Sequence, residues 1–552
     1  MNADARLGLR PSPGSDPVVV VGAGPVGLLV AGELALRRVP VVVLERLHEV
    51  VDQPKAGTLH ARPAQLLRRR GYLAPGPLGA PAGALARASF HFAAQFGLDV
   101  SSPAAEGAPI VSQWQGELER FLDAVCRSRG VDLRRGVEVE HVHQDPGGAT
   151  VGYRDAAGSP RSVRASWVVG ADGGRGIVRA AARIGTDDTP PSVRSLIGRV
   201  RLGSVAHDLA GWQETPRGWT LVNLVPGGLS RLITFEFGAD HDDRQAPVAL
   251  DELRAVAERV TGRAVPMDRL EWSGRFTDFG RLARAYRAGR LLLAGDAAHL
   301  HFPVGGQGLG LGIQDAFALG WRLALVARGE APEQVLDDYE RERRPHAARA
   351  LAYTREQAEA MDPRPERAVR RSALLAAASL PGRRRELGRQ VSSQDLRTTH
   401  GADDPAAVGT FLTDRALRAG GEPTRLSALL ASGKALLLEP GRDPEVRVLA
   451  RAWATRLEHV PGCGPSIVDG EPADAVLVRP DGYVGWVGPT HDLAPLSAAL
   501  EQWLGTPASG VAEEIGARST TVTTGSDDRR PSGSGGVRQR TVTALVSTTP
   551  SA

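Results

Sequence analysis

Gly22, Gly24 and Gly27 stand in the spacing G-x-G-x-x-G, and Glu45 follows about twenty residues after the turn. Such a set can cradle a diphosphate. The first glycine makes a tight turn, the second lets backbone approach the phosphates, and the third lets a helix pack against a strand. Free N–H groups and about half a positive charge at a helix N-terminus hold the anion. A carboxylate where Glu45 stands can accept hydrogen bonds from a ribose diol. The chemistry read from these residues is dinucleotide binding, with FAD and NAD(P) both open. Two glycine-aspartate turns follow, Gly170-Ala171-Asp172-Gly173 and Gly295-Asp296-Ala297-Ala298-His299. After the second comes Pro303-Val304-Gly305-Gly306-Gln307-Gly308-Leu309-Gly310. No Ser-His-Asp or paired-carboxylate array accompanies these turns, so the reactive chemistry is expected to belong to a cofactor. His299 and His301 lack a third ligand at useful spacing, which argues against a metal site.

The elements that must position these turns are legible. Val18-Val19-Val20-Val21 is a β-branched run, the pattern of a strand buried on both faces, and it leads directly into the first glycine. Residues 28–37 read as a helix, and Val41-Val42-Val43-Leu44 as a second strand ending in Glu45-Arg46. Trp167-Val168-Val169 and Leu291-Leu292-Leu293 are strands before the two aspartate turns, and residues 309–328 form a helix after the glycine run. Between residues 184 and 275 short alternating runs such as Arg231-Leu232-Ile233-Thr234-Phe235-Glu236-Phe237 predict antiparallel strands. Trp212, Trp219, Phe235 and Phe237 are candidate flat walls for an aromatic ligand, weighed against ordinary core packing.

A chain of 552 residues, 42% hydrophobic and 24% charged, has volume for roughly three or four domains. The net charge of +4 is small for such a surface, so a nucleic-acid partner is not expected. Cys126 and Cys463, the chain's two cysteines, supply neither a disulfide framework nor a dithiol motif. No uninterrupted apolar run of about 18 residues and no leader pattern is found, so a soluble cytoplasmic protein without a membrane partner is expected.

Taken together, G-x-G-x-x-G, G-A-D-G-G-R and G-D-A-A-H-x-H-x-P-x-G-G-Q-G resemble the class A FAD-dependent aromatic hydroxylases related to p-hydroxybenzoate hydroxylase. The likeness is strongest to the branch acting on aromatic polyketides and rifamycin-type antibiotics. Leu59-His60-Ala61-Arg62, Gln115 with Glu119 and Leu122, and Leu477-Val478-Arg479-Pro480-Asp481-Gly482-Tyr483 extend it. The resemblance implies an α/β fold with a Rossmann-like FAD-binding domain and an inserted antiparallel-sheet substrate domain. A helical linker and a thioredoxin-like C-terminal domain without C-x-x-C complete it. The expected limits are a disordered N-terminus at 1–16, FAD-binding parts at 17–183 and 276–399, and a substrate domain at 184–275. The C-terminal domain is expected at 400–506 and a disordered tail at 507–552.

By the same resemblance the cofactor is held by Gly22, Gly24, Pro25, Gly27, Glu45, Arg46, Lys55, Arg62, Gln115 and Asp172. Gly295, Asp296, Pro303, Gly306, Gly308 and Leu309 complete the set. Asp296 would bond the ribityl chain, and Pro303, Gly305 and Gly306 would stabilise the flavin edge. NADPH would dock transiently as electron donor, O2 would be co-substrate, and a flavin C4a-hydroperoxide would hydroxylate a polycyclic aromatic substrate in secondary metabolism. Baeyer–Villiger insertion, inactivation of an antibiotic, and a turnover-deficient docking protein are the alternatives. A monomer or homodimer is expected. Lys55, Gly310 and Ala318 depart from the family pattern, which commonly has arginine, asparagine and asparagine there.

Overall fold

The computed structural model describes residues 16–508 apart from 52–54, 75, 77–83, 239–245, 399–403 and 465–472. The expected disordered segments at 1–16 and 507–552 lie almost wholly outside the described residues. A six-stranded sheet forms the base, in the order Arg287–Ala288, Leu291–Leu293, Trp167–Gly170, Val18–Val21, Val41–Glu45, Asp132–Arg135. All its pairings are parallel except the edge hairpin Arg287–Ala288 with Leu291–Leu293. Val18, Val19 and Val20 are fully buried, as strands covered on both faces require.

Seven helices position the site: α1 (Pro25–Leu36), α2 (Ala61–Arg69), α3 (Gln115–Ser128), α4 (Ile177–Ala181), α5 (Leu250–Thr261), α6 (Gly308–Ala327) and α7 (Val335–Met361). Helix α6 is long and apolar enough to cross a membrane, yet 94% of its apolar window is buried inside the fold. It packs on α1, where Gly312 admits Val26 so closely that an added Cβ would lie 2.5 Å from it.

The second sheet is antiparallel, in the order Gly211–Thr215, Gly218–Asn223, Ser230–Phe237, Val193–Leu202, Met267–Thr277. Its last strand runs past residue 275, where the sequence reading ended this region. Register decides its faces. Trp219 pairs with Phe235, Phe237 with Val193, and Phe235 with Ser195, which pairs with Phe276 on the other side. With a side-chain period of two, these residues share one face. The opposite face, carrying Leu196, Val200 and Leu232, packs on α5 through Leu253 and Val256. A hairpin, Leu85–Phe92 with Gln95–Pro103, joins the first face.

The C-terminal sheet runs Leu457–Pro461, Ala435–Glu439, Ala475–Val478, Val484–Gly488, one parallel and two antiparallel pairings, as in a thioredoxin-like fold. It is tied to the rest by buried charges. Arg479 donates to both Glu342 oxygens, at 2.7 and 3.0 Å, and to Asp481, while Arg322 meets Glu342 at 2.8 Å.

Candidate active site

The turn after the first strand is shaped by three different steric situations. A Cβ on Gly22 would lie 2.4 Å from the Ala171 carbonyl oxygen, and one on Gly27 would lie 2.0 Å from the Gly22 oxygen. A Cβ on Gly24 would meet nothing within 4 Å. Gly22 and Gly27 are therefore required by the protein's own packing, whereas nothing in the chain explains Gly24. Pro25 opens α1, where its missing N–H costs nothing and its φ is already helical. No side chain caps α1, so its first N–H groups stay free. Glu45 lies beside the turn, its carboxylate accepting from Ala23 N at 2.7 Å and from Leu47 N at 2.9 Å. Arg46 and Lys55 are exposed nearby, and the Lys55 carbonyl accepts from Arg231 Nη2 at 3.3 Å.

The Gly295–Asp296 turn is pinned from behind. One Asp315 oxygen accepts from Gly295 N at 3.1 Å and from His299 Nε2 at 2.6 Å, while the other accepts from Arg343 Nε at 2.8 Å. Burial alone would raise the Asp315 carboxyl, but His299 and Arg343 hold it below the ordinary carboxylate range. Asp296, the next residue, is exposed.

The loop before α6 is built on two successive left-handed residues, Gly305 (φ 92°) and Gly306 (φ 65°), which favour glycine. Pro303 and Gly306 are exposed, Gly305 is buried, and Gly308 and Leu309 are half-buried at the helix start. Helix α6 also begins without a side-chain cap or an acidic residue in its first turn. His60 clamps the loop, its Nε2–H donating to the Gly305 carbonyl at 2.8 Å.

Arg62, Gln115 and Asp172 are engaged by protein. The Arg62 guanidinium donates to Ser393 O and Gln65 Oε1 and lies 3.6 Å from the Phe411 ring centroid, and burial pulls its pKa down to about 10. Gln115 Nε2 donates to Glu119 at 2.7 Å at the start of α3. Asp172 caps α4 through Val178 N at 3.0 Å, leaving its other oxygen buried without a partner.

On the second sheet, Trp212 stacks on Phe235 at 5.4 Å and 23°, and Phe235 meets Phe302 edge-on at 5.9 Å. Trp219 and Phe237 are buried in the same cluster, and the Trp219 indole N–H donates to the Met361 carbonyl at 2.8 Å. Core packing accounts for Trp219, while half-buried Trp212 stays closest to open space.

An FAD binding domain model matches residues 16–354, and an aromatic-ring hydroxylase C-terminal model matches residues 405–507. The chain belongs to the FAD-dependent aromatic-ring hydroxylases. It is 36% identical to the 12-dehydrotetracycline 5-monooxygenase/anhydrotetracycline 6-monooxygenase of Streptomyces rimosus, over 89% of this chain and 99% of that one. It is 34% identical to a dialkyldecalin synthase of Streptomyces rugosporus, over 89% of this chain and 99% of that one. The crystal structure of an aromatic hydroxylase from angucycline biosynthesis superposes with a TM-score of 0.79 at 33% identity, covering 89% of this chain and all of that one.

The residues of this hydroxylase fit FAD. Gly24 leaves a cradle that a side chain would fill, and two helices present uncapped N-termini. His301 Nε2 is buried without a partner beside Gly308, where an added Cβ would lie 3.4 Å from it. The departures have local explanations in part. A Cβ at Gly310 would come within 3.0 Å of the Pro63 ring, so a larger residue would push α2 away from α6. Ala318 is buried, its carbonyl accepting from Arg322 at 2.7 Å. Sequence reasoning missed Asp315 and Arg343. The signal for Asp315 was available: an acid inside an otherwise apolar helix needs a buried partner.

His60, His91 and His301 share a property with a measurable consequence. Burial lowers each from 6.5 to about 4. Between those values the unfolded chain binds more protons than the folded one, so stability falls as pH drops through that window. The melting temperature of this hydroxylase is expected to decline from about pH 6.5 toward 4, more shallowly in His60→Gln and His301→Gln. Thermal melts across pH check this, and identical slopes in all three proteins would refute it.

Proposed function

We propose that this hydroxylase uses electrons from NADPH and one atom of O2 to hydroxylate a polycyclic aromatic substrate of polyketide type in secondary-metabolite biosynthesis. The observation that carries the reading is the continuity of one apolar cluster. It runs from the Trp212–Phe235 stack of the second sheet to Phe302 and Val304, which lead directly into the Gly305–Gly306 turn. A flat, extended ring system suits such a wall, because offset and edge-on aromatic contacts each add about 0.5–1.5 kcal/mol beyond burial. The similarity to an enzyme named for 12-dehydrotetracycline and anhydrotetracycline, and to an aromatic hydroxylase from angucycline biosynthesis, supports the same class.

FAD, once bound and reduced, supplies the activation of O2. The chain's task is placement, exclusion of water and stabilisation of charge. The N–H groups opening α1 would hold the diphosphate, with Gly24 allowing its approach, and Glu45 would hold the ribose. The N–H groups opening α6 favour negative charge at the flavin edge by about 0.3–1 kcal/mol, up to about 2 where partly buried. Asp296 would hold the ribityl chain. Lacking a second G-x-G-x-x-G, the chain takes NADPH transiently at the flavin.

The test is a panel of tricyclic and tetracyclic phenols offered to the FAD-loaded protein with NADPH. At least one is expected to accelerate NADPH oxidation and yield a product one oxygen heavier, labelled by 18O2 on a ring carbon. Label inside an enlarged ring would mean insertion next to a ketone. The similarity to a dialkyldecalin synthase favours one other reading, a flavin-holding cyclase. Conversion of a ligand without added oxygen, with no NADPH consumed, would establish that reading and overturn the proposal.

A further inference from the structure

The hairpin Leu85–Phe92/Gln95–Pro103 carries a histidine that neither cofactor binding nor core packing accounts for. Its pairing slips by one residue between Phe90 and His91, a bulge that re-aims the His91 side chain. Its tip, Ala93 and Ala94, adopts left-handed backbone (φ 49° and 65°) without glycine, a conformation that persists only when its surroundings enforce it. Here they do. The tip is buried in the aromatic cluster, and Ala93 N donates to Gln357 Oε1 at 3.0 Å.

The result sets the His91 ring 4.5 Å from Phe90 and 5.4 Å from Trp212. Phe90 in turn meets His60, which holds Gly305. The contacts Gly305–His60–Phe90–His91–Trp212–Phe235–Phe302 thus form a circuit that begins and ends on the loop before α6. His91 is 8% exposed, and neither ring nitrogen has a hydrogen-bond partner among the described residues. Its Nδ1 is wholly buried. An unpartnered buried N–H is rarer than an unpartnered acceptor, which puts the proton on Nε2.

Resting on the polycyclic reading above, we propose that His91 is a specificity-determining residue whose Nε2–H donates to a ring-carbonyl oxygen of the substrate. An aromatic wall binds any flat ring system; a single donor set in it selects the one with a ring carbonyl, because the analogue without that carbonyl leaves the donor unpaired.

The experiment measures binding to the FAD-loaded protein, by perturbation of the flavin spectrum, of 1-hydroxyanthraquinone and 1-hydroxyanthracene, which differ in their ring carbonyls. Wild type is expected to prefer the quinone by about tenfold or more. His91→Phe and His91→Leu should erase most of that preference, and His91→Gln, which keeps an N–H, should retain part of it. Flavin content and melting temperature establish that each variant is folded. An unchanged preference in either apolar variant overturns the assignment of His91 alone. Failure of flavin-loaded wild type to bind either tricycle overturns it together with the polycyclic reading.

Discussion

Replacing Asp315 with alanine is expected to leave the purified protein largely colourless and to destabilise the apoprotein by about 3–5 kcal/mol. Asp315 is fully buried and is the shared partner of Gly295 N, His299 and Arg343. Arg343 is itself 4% exposed, and among the described residues its hydrogen bonding besides Asp315 reduces to a 3.4 Å contact with the Leu311 carbonyl. Truncation therefore strands a guanidinium and a backbone N–H in the interior, the situation in which removing one member of a buried pair is most costly. The consequence for the cofactor follows from position. The N–H of Gly295 fixes the turn whose next residue, Asp296, is proposed to hold the ribityl chain, so a turn that relaxes is expected to lose its grip on FAD. Denaturant unfolding of apoprotein and FAD content after gentle isolation are the measurements. Asp315→Asn, which keeps a carbonyl acceptor without the charge, should fall between wild type and alanine in both. An alanine variant with full FAD and unchanged unfolding midpoint would show that the buried network is dispensable.

The second large effect separates two glycines of one motif. Gly24→Ala should reduce FAD affinity by about tenfold or more, roughly 1.4 kcal/mol, while leaving apoprotein stability within about 0.5 kcal/mol of wild type. The added methyl meets no protein atom within 4 Å, and its extended backbone (φ −69°, ψ 177°) suits alanine, so only an incoming diphosphate is obstructed. Gly27→Ala should lower both quantities, because its Cβ would stand 2.0 Å from the Gly22 carbonyl oxygen and must push α1 off the strand turn. FAD titration and thermal melting of the two apoproteins check the contrast. Equal losses of stability in both variants would contradict the division of roles, and undiminished FAD affinity in Gly24→Ala would remove Gly24 from the cradle.

The two variants together with Asp315 separate the contributions of surface and scaffold to cofactor binding. Gly24 is proposed to act where the ligand arrives; Asp315 acts through the backbone N–H it holds. The C-terminal sheet reaches the same region by adjacent residues of α7, since Glu342 bonds Arg479 and Arg343 bonds Asp315.

Much of this was legible before any fold was in hand, for a physical reason. A diphosphate cradle depends on residues a few positions apart, because tight turns, free N–H groups and helix starts are local properties of the backbone. Val18–Val21, the three glycines and α1 therefore announce themselves, as do the Gly295–Asp296 turn and the Gly305–Gly306 loop. The strand character of the second sheet was also readable from alternation, and so were Trp212 and Phe235 as candidates, but not which of the aromatic residues would be spent on the core. That Trp219 donates to Met361 while Trp212 stacks at the edge is set by register across strands, and a one-residue slip would exchange the faces.

The charges and the histidines were decided by tertiary structure alone. The resemblance makes Arg62 a cofactor contact; that its guanidinium also lies over Phe411, far along the chain, is visible only in the fold. Asp315 finds His299 and Arg343 only when α6 and α7 pack side by side, and His91 meets Trp212 only through a bulge and a strained tip. Local spacing can specify what a backbone turn will bind; which side chain a buried charge or an imidazole will face depends on contacts between segments whose separation in sequence carries no record of their distance in space.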